Sequence, residues 1–108
     1  MSEEKKVYRA GPGDIVPLLE QSGALCEFGD NYRQPTPEQI KALRTYLGLS
    51  QIAFAKLVGV TYKEGKGSQT IRKWETPEGQ TEHRKIPYSA WRLLLIAAGL
   101  IEPPYIEK

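Results

Sequence analysis

The sequence predicts a small all-α protein, a helical bundle that contains a helix-turn-helix. Two observations support this prediction: residues that start and stop helices bound several stretches of the chain, and apolar residues inside those stretches recur at helical spacing. A length of 108 residues is enough for one hydrophobic core and too short for two. We expect an N-terminal extension with a short helix over residues 1–35, a helix-turn-helix domain over residues 36–101, and a tail over residues 102–108.

The N-terminal extension has the weaker helical pattern. Residues 1–9 are polar and charged, which predicts a frayed terminus or an arm. After a Gly-Pro-Gly break, Asp14 is a candidate N-cap for a short helix that ends near Ser22. Residues 24–34 predict either a hairpin turn or a loop.

A well-marked helix begins at Thr36. Thr36 is suited to the N-cap, Pro37 to the first helical position, and Gln39 to the third position, where it completes a capping box. Gly48 supplies the stop. The apolar stripe of this helix lies at positions i, i+3 and i+7, which are Ile40, Leu43 and Leu47.

The next two predicted helices form the helix-turn-helix. The first of them begins at Ser50, directly after Gly48-Leu49, and stops at Gly59. The second begins near Ser68, and its inward face carries two apolar residues three positions apart, Ile71 and Trp74. The enlarged turn between them, residues 62–68, contains two glycines and two lysines.

Residues 87–98 predict a last helix that is apolar on nearly all sides, with Arg92 as its only charge. One side can pack on the other helices, while the other side requires either the N-terminal segment or a second copy of the chain. We expect a dimer interface formed by this helix and the segment after it, at Trp91, Leu94, Leu95 and Ile101.

Charge is unevenly distributed along the chain, although the net formal charge is only +2. Residues 1–35 hold four basic and six acidic side chains, whereas residues 36–85 hold nine basic and five acidic ones. The basic excess therefore coincides with the helix-turn-helix. Such an excess indicates either an ordinary solvated face or a surface for nucleic acid.

The composition argues against several classes of protein. No apolar run approaches the roughly 18 residues that span a bilayer, and the first residues lack the apolar core of a signal peptide. We therefore expect no membrane association and a cytoplasmic location. The single cysteine, Cys26, excludes an intrachain disulfide and a cysteine zinc cluster. The single histidine, His83, lies 57 positions away from it, and no paired acidic motif is present. We expect no enzymatic activity, no metal and no cofactor.

A spaced set of residues in the helix-turn-helix resembles the Cro/C1-type (XRE) family of transcriptional regulators. The matching residues are Leu49-Ser50-Gln51, Phe54-Ala55, Gly59-Val60-Thr61, Thr70-Ile71 and Trp74-Glu75. The resemblance covers roughly residues 36–99, and it implies a lambda-repressor-like fold that binds double-stranded DNA. The family usually has two residues between the positions of Thr61 and Thr70, where this chain has eight.

The resemblance places the helix that starts near Ser68 in the major groove of DNA. The side chains expected at base edges are Ser68, Gln69, Arg72 and Lys73. Gln69 can pair with adenine, and either Arg72 or Lys73 can pair with guanine while the other contacts phosphate.

Six further residues are expected at DNA phosphates: Ser50, Gln51, Lys63, Lys66, Arg84 and Lys85. Ser50 and Gln51 match the start of the family's second helix, and Arg84 and Lys85 match the basic loop after its recognition helix. The lysines of the enlarged turn have two interpretations. The turn is either a tolerated surface insertion, or a site where glycines let backbone amides approach a phosphate.

These expectations combine into a dimeric repressor that reads an inverted-repeat operator, with its two recognition helices about 34 Å apart. The alternative is a protein-binding module, such as an antitoxin, that uses the apolar last helix to hold a protein partner. Clean dimers in solution would disfavour this alternative.

Overall fold

The computed structural model describes residues 15–103, and this part of the chain forms five helices and no strand. In chain order they are α1 (Ile15–Ser22), α2 (Pro37–Tyr46), α3 (Gln51–Val58), α4 (Gln69–Trp74) and α5 (Tyr88–Ala97). The predicted all-α fold is confirmed, and α3 and α4 are the two helices of the helix-turn-helix. The expectations for residues 1–9, for an N-cap at Asp14 and for the tail after Pro103 lie outside the described residues.

Helices α2 and α3 begin at the predicted residues. The Thr36 hydroxyl accepts a hydrogen bond from the Gln39 amide at 3.1 Å, and the Gln39 side chain accepts one from the Thr36 amide at 3.0 Å. The Ser50 hydroxyl accepts one from the Ala53 amide at 3.0 Å. Gly59 ends α3 with a φ of 82°, in the left-handed region that favours glycine. Hydrogen bonds between residues close in sequence therefore set the ends of these helices.

A single hydrophobic core joins all five helices. Its buried members are Ile15, Leu19, Ala24, Ile40, Leu43, Phe54, Ala55, Ile71, Trp74, Ile86, Ala90, Trp91, Leu94, Leu95 and Ala98. Helix α5 contacts both α2 and α3. On another side it meets the segment that follows α1, where Nε1 of Trp91 donates a 2.8 Å hydrogen bond to the carbonyl of Ala24. The N-terminal segment therefore covers part of α5.

This packing corrects the expected dimer interface. The side chains of Trp91, Leu94 and Leu95 have an exposed fraction of 0% because they lie in the core of their own chain. A side chain without exposed surface cannot contact a second folded chain. Of the four expected interface residues, Ile101 alone keeps partial exposure.

Candidate nucleic-acid interface

Apolar anchors set the orientation of α4. Ile71 and Trp74 are buried, and the ring of Trp74 meets that of Phe54 on α3 edge-on, with the ring centroids 5.9 Å apart. Because α4 turns this face toward the core, its opposite side points outward. That outer surface carries three of the predicted base readers: Gln69 and Arg72, which are exposed, and Lys73, which is half-buried.

Ser68, the fourth predicted base reader, lies inside the protein. Its hydroxyl accepts a hydrogen bond from the Ile71 amide at 3.2 Å and donates one to the Thr61 carbonyl at 2.7 Å. The side chain thus caps α4 and ties it to the end of the preceding segment. Since this residue is buried and its hydroxyl is occupied, the structure corrects the expectation that Ser68 reads a base.

The three outer side chains of α4 have polar neighbours. Arg72 donates a hydrogen bond to the side-chain oxygen of Gln69. Lys73 Nζ lies 3.9 Å from a carboxylate oxygen of Glu82, and the Arg84 amide donates to the Lys73 carbonyl at 3.1 Å. The loop after α4 therefore folds back along the helix, and Glu82 in this loop partly neutralises the charge of Lys73.

A part-buried ion pair connects α2 with the end of α4. Nε of Arg44 lies 2.6 Å from one carboxylate oxygen of Glu75, and a second guanidinium nitrogen donates to the other oxygen at 3.1 Å. The same guanidinium donates to the Leu49 carbonyl at 2.9 Å, and the Gln51 side chain donates to Glu75 at 3.4 Å. With exposed fractions of 13% and 6%, the two charged side chains are largely shielded from water. One carboxylate thus holds α2, the start of α3 and the end of α4 together.

The sequence patterns do not identify this ion pair. Arg44 and Glu75 are 31 positions apart, so neither capping chemistry nor helical spacing relates them. Gln51 was expected at a phosphate, and its amide group is instead half-buried against Glu75. The only sequence signal for Glu75 is its place among the residues that resemble the Cro/C1-type family.

The backbone of the enlarged turn closes on itself. The Lys63 amide donates to the Gly67 carbonyl at 2.8 Å, and the amides of Lys66 and Gly67 donate to the Lys63 carbonyl at 2.9 and 3.0 Å. These three amides therefore point into the turn and do not face an anion. The side chains of Lys63 and Lys66 remain exposed. The turn can offer these two cations to a phosphate, while the amides of Lys63, Lys66 and Gly67 are already bonded within the turn.

Two positions in the turn lie close to α3. Gly67 has a φ of 106°, and a Cβ atom added there would lie 3.0 Å from the side-chain oxygen of Gln51. Glycine therefore permits the close approach. Near the other end of the turn, Nζ of Lys56 lies 5.4 Å from the ring centroid of Tyr62. The turn thus sits beside α3, next to its first residue.

The remaining predicted phosphate contacts are exposed. Ser50 caps α3 through its hydroxyl while its surface stays open to solvent. Lys85 is exposed, and Arg84 is exposed but donates to the carbonyls of Thr81 and His83 at 3.0 and 2.8 Å. The loop between α4 and α5 thus orients one of its two cations and leaves the other free to turn.

Residues 15–103 contain no group of three or more histidine, cysteine, aspartate or glutamate side chains able to hold a metal ion. In the same part of the chain, no helix is long and apolar enough to cross a membrane.

Comparison with known proteins relates the chain to a regulator. No family model matches it. Over 71 residues it is 35% identical to the transcriptional repressor protein KorC of Escherichia coli, an alignment that covers 66% of this chain and 74% of the relative. This relationship indicates a regulatory protein rather than an enzyme. The chain belongs to the family of the transcriptional repressor KorC.

Proposed function

We propose that the chain is a sequence-specific DNA-binding repressor of the Cro/C1 (XRE) type that binds an inverted-repeat operator as a homodimer, in the cytoplasm. The observation that carries the proposal is the placement of α4. Its apolar side is locked into the core, while its outer surface presents an amide and two cations. The relationship to KorC supports the same reading, since that protein is a transcriptional repressor.

The proposed base readers are Gln69, Arg72 and Lys73. Bidentate contacts of glutamine with adenine and of arginine with guanine each contribute about 1–3 kcal/mol of discrimination. Arg72 and Gln69 already bond to each other, so in the complex they would exchange this bond for contacts with adjacent bases. Lys73 would have to leave Glu82 to reach a base, which makes it the weaker candidate.

The proposed phosphate contacts surround α4. Ser50 and Gln51 stand at the start of α3, Lys63 and Lys66 extend from the enlarged turn, and the loop after α4 carries Arg84 and Lys85. Cations and amides at phosphates fix the register of a protein on DNA without reading its sequence. Gln51 would bind phosphate only if its amide can serve both the anion and Glu75.

The experiment that tests the proposal is selection of binding sites from random duplex DNA at near-physiological salt, followed by sizing of the selected complex. We expect an inverted repeat with half-sites centred about 10 base pairs apart, one helical turn, bound by two chains. A protein that contacts only phosphates, and reads neither base edges nor DNA shape, would enrich no sequence. That outcome would refute sequence-specific recognition by α4.

A further inference from the structure

Gln51, the first residue of α3, lies between the end of α4 and the enlarged turn. Its side-chain nitrogen donates a hydrogen bond to the Glu75 carboxylate at 3.4 Å. Its side-chain oxygen lies beside the turn, because a Cβ atom added to Gly67 would be 3.0 Å from that oxygen. The two ends of this half-buried amide group therefore have two different neighbours.

The Glu75 carboxylate is a fixed partner for this amide. Nε of Arg44 lies 2.6 Å from one of its oxygens, and a second guanidinium nitrogen donates to the other oxygen at 3.1 Å. Gln51 donates to this second oxygen as well. Because the guanidinium holds both oxygens, the carboxylate has a set orientation. Gln51 is thus bonded to a group that cannot turn freely.

The enlarged turn fixes its own shape. Backbone hydrogen bonds join Lys63 to Lys66 and to Gly67. At the base of the turn, the Ser68 hydroxyl donates to the Thr61 carbonyl at 2.7 Å. These bonds close the turn and set the distance between its ends, but none of them reaches α3. The orientation of the closed turn beside α3 must therefore come from other neighbours.

Two side chains of α3 lie close enough to orient the turn. Lys56 lies over the ring of Tyr62, with Nζ 5.4 Å from the centroid, but both side chains are exposed, where a cation–π contact is weak. Gln51 is half-buried and bonded to Glu75, so it offers the turn a firmer support. The missing Cβ atom of Gly67 lets the backbone of the turn come close to it.

We propose that Gln51 is a positioning residue for the enlarged turn. It holds the turn in one place relative to α4, so that Lys63 and Lys66 meet DNA phosphates in register with the bases that α4 reads. The DNA contacts in this inference rest on the proposed function, whereas the position of the turn rests on the neighbours of Gln51. The main role of Gln51 is then to place two cations rather than to bind phosphate itself.

The first test needs no DNA. Trypsin cleaves after a lysine when the local backbone opens, so cleavage rates after Lys63 and Lys66, with the products identified by mass spectrometry, report how freely the turn moves. Gln51→Ala should raise both rates about 2- to 13-fold, the effect of losing one hydrogen bond. The matched control is Gln21→Ala, at an exposed glutamine of α1, which should leave them unchanged. Circular dichroism verifies that both variants keep their helices.

The second test measures how affinity for the selected operator depends on salt. Each lysine that neutralises a phosphate contributes about 0.9 to the slope of log K against log salt, whereas a neutral glutamine contributes nothing. Loss of Gln51 as a simple phosphate contact would therefore lower the affinity and keep the slope. If Gln51 positions the turn, Gln51→Ala should reduce the slope by up to about 1.8. Replacing Lys63 and Lys66 by alanine in the same variant should then reduce it little further.

Unchanged cleavage after Lys63 and Lys66 in Gln51→Ala would overturn the proposal. It would also be overturned if Gln51→Ala left the slope unchanged, or if the lysine substitutions kept their full effect in that variant. If the DNA selection enriches no sequence, the proposed function fails, and the cleavage rates alone decide whether Gln51 positions the turn. Faster cleavage would then uphold that role.

Discussion

Replacement of Glu75 by alanine tests whether one carboxylate holds α2, the start of α3 and the end of α4 together. The substitution removes both contacts with Arg44 and the weaker contact with Gln51. Loss of one partner from a buried ion pair costs about 3–5 kcal/mol, because the other charge is left buried. The pair is only part-buried, and Arg44 would keep its bond to the Leu49 carbonyl, so we expect the lower end of that range, about 3 kcal/mol.

Urea unfolding, monitored by circular dichroism, measures this loss of stability. A loss of that size is a large part of a domain's net stability of about 5–15 kcal/mol. Glu75→Gln retains the side-chain shape and one hydrogen-bond acceptor, so it should lower the free energy of unfolding by less than the alanine substitution does. Its stability can therefore be measured even if the alanine variant is unfolded. The control is Glu78→Ala, at an exposed acidic residue three positions later, which should change stability by less than about 0.5 kcal/mol. An equally small effect of Glu75→Ala would refute the reasoning.

Three further predictions follow from the described residues. Arg72→Ala should weaken binding to the selected operator about 5- to 150-fold and binding to unrelated DNA far less; equal losses in a titration with both DNAs would make Arg72 a phosphate contact. Combined Lys63→Ala and Lys66→Ala should reduce the slope of log K against log salt by about 1.8. The control variant Lys41→Ala, on α2, should leave that slope unchanged. If the double variant also leaves it unchanged, the turn is a simple surface insertion. Burial, with a smaller contribution from Tyr88, raises the pKa of Tyr32 above the ordinary tyrosine value of 10.0, and its hydroxyl is buried without a hydrogen-bond partner in the described structure.

The consequence for Tyr32 concerns alkaline pH. The pKa of Tyr32 is higher in the folded than in the unfolded state, so the folded state holds the proton more firmly. The stability that this proton contributes is complete below pH 10. It is lost as the pH rises from there toward the folded pKa. Tyr32→Phe should remove that part of the alkaline loss. At neutral pH it should be neutral or stabilise by up to about 1 kcal/mol, because no hydrogen bond is lost. Unfolding curves at pH 7 and pH 10.5 measure both effects, and a clear loss of stability at pH 7 would contradict the argument.

The sequence alone determined where the central helices begin and end. Thr36 with Gln39, Ser50, and Gly59 act on amides or carbonyls within a few residues, so their effect does not depend on the rest of the fold. Helical spacing likewise determined that Ile71 and Trp74 face the core, which leaves the cations of α4 outside.

Only the tertiary structure decided which distant segments pack on these helices. Helix α5 is apolar on several sides, so its pattern does not tell which side is covered by its own chain; the segment at Ala24 settles that by packing on Trp91. The contact between Arg44 and Glu75 likewise needs the two helices to meet. Capping depends on neighbours along the chain, whereas burial and ion pairing depend on neighbours in space, and a single sequence specifies the first kind far more directly than the second.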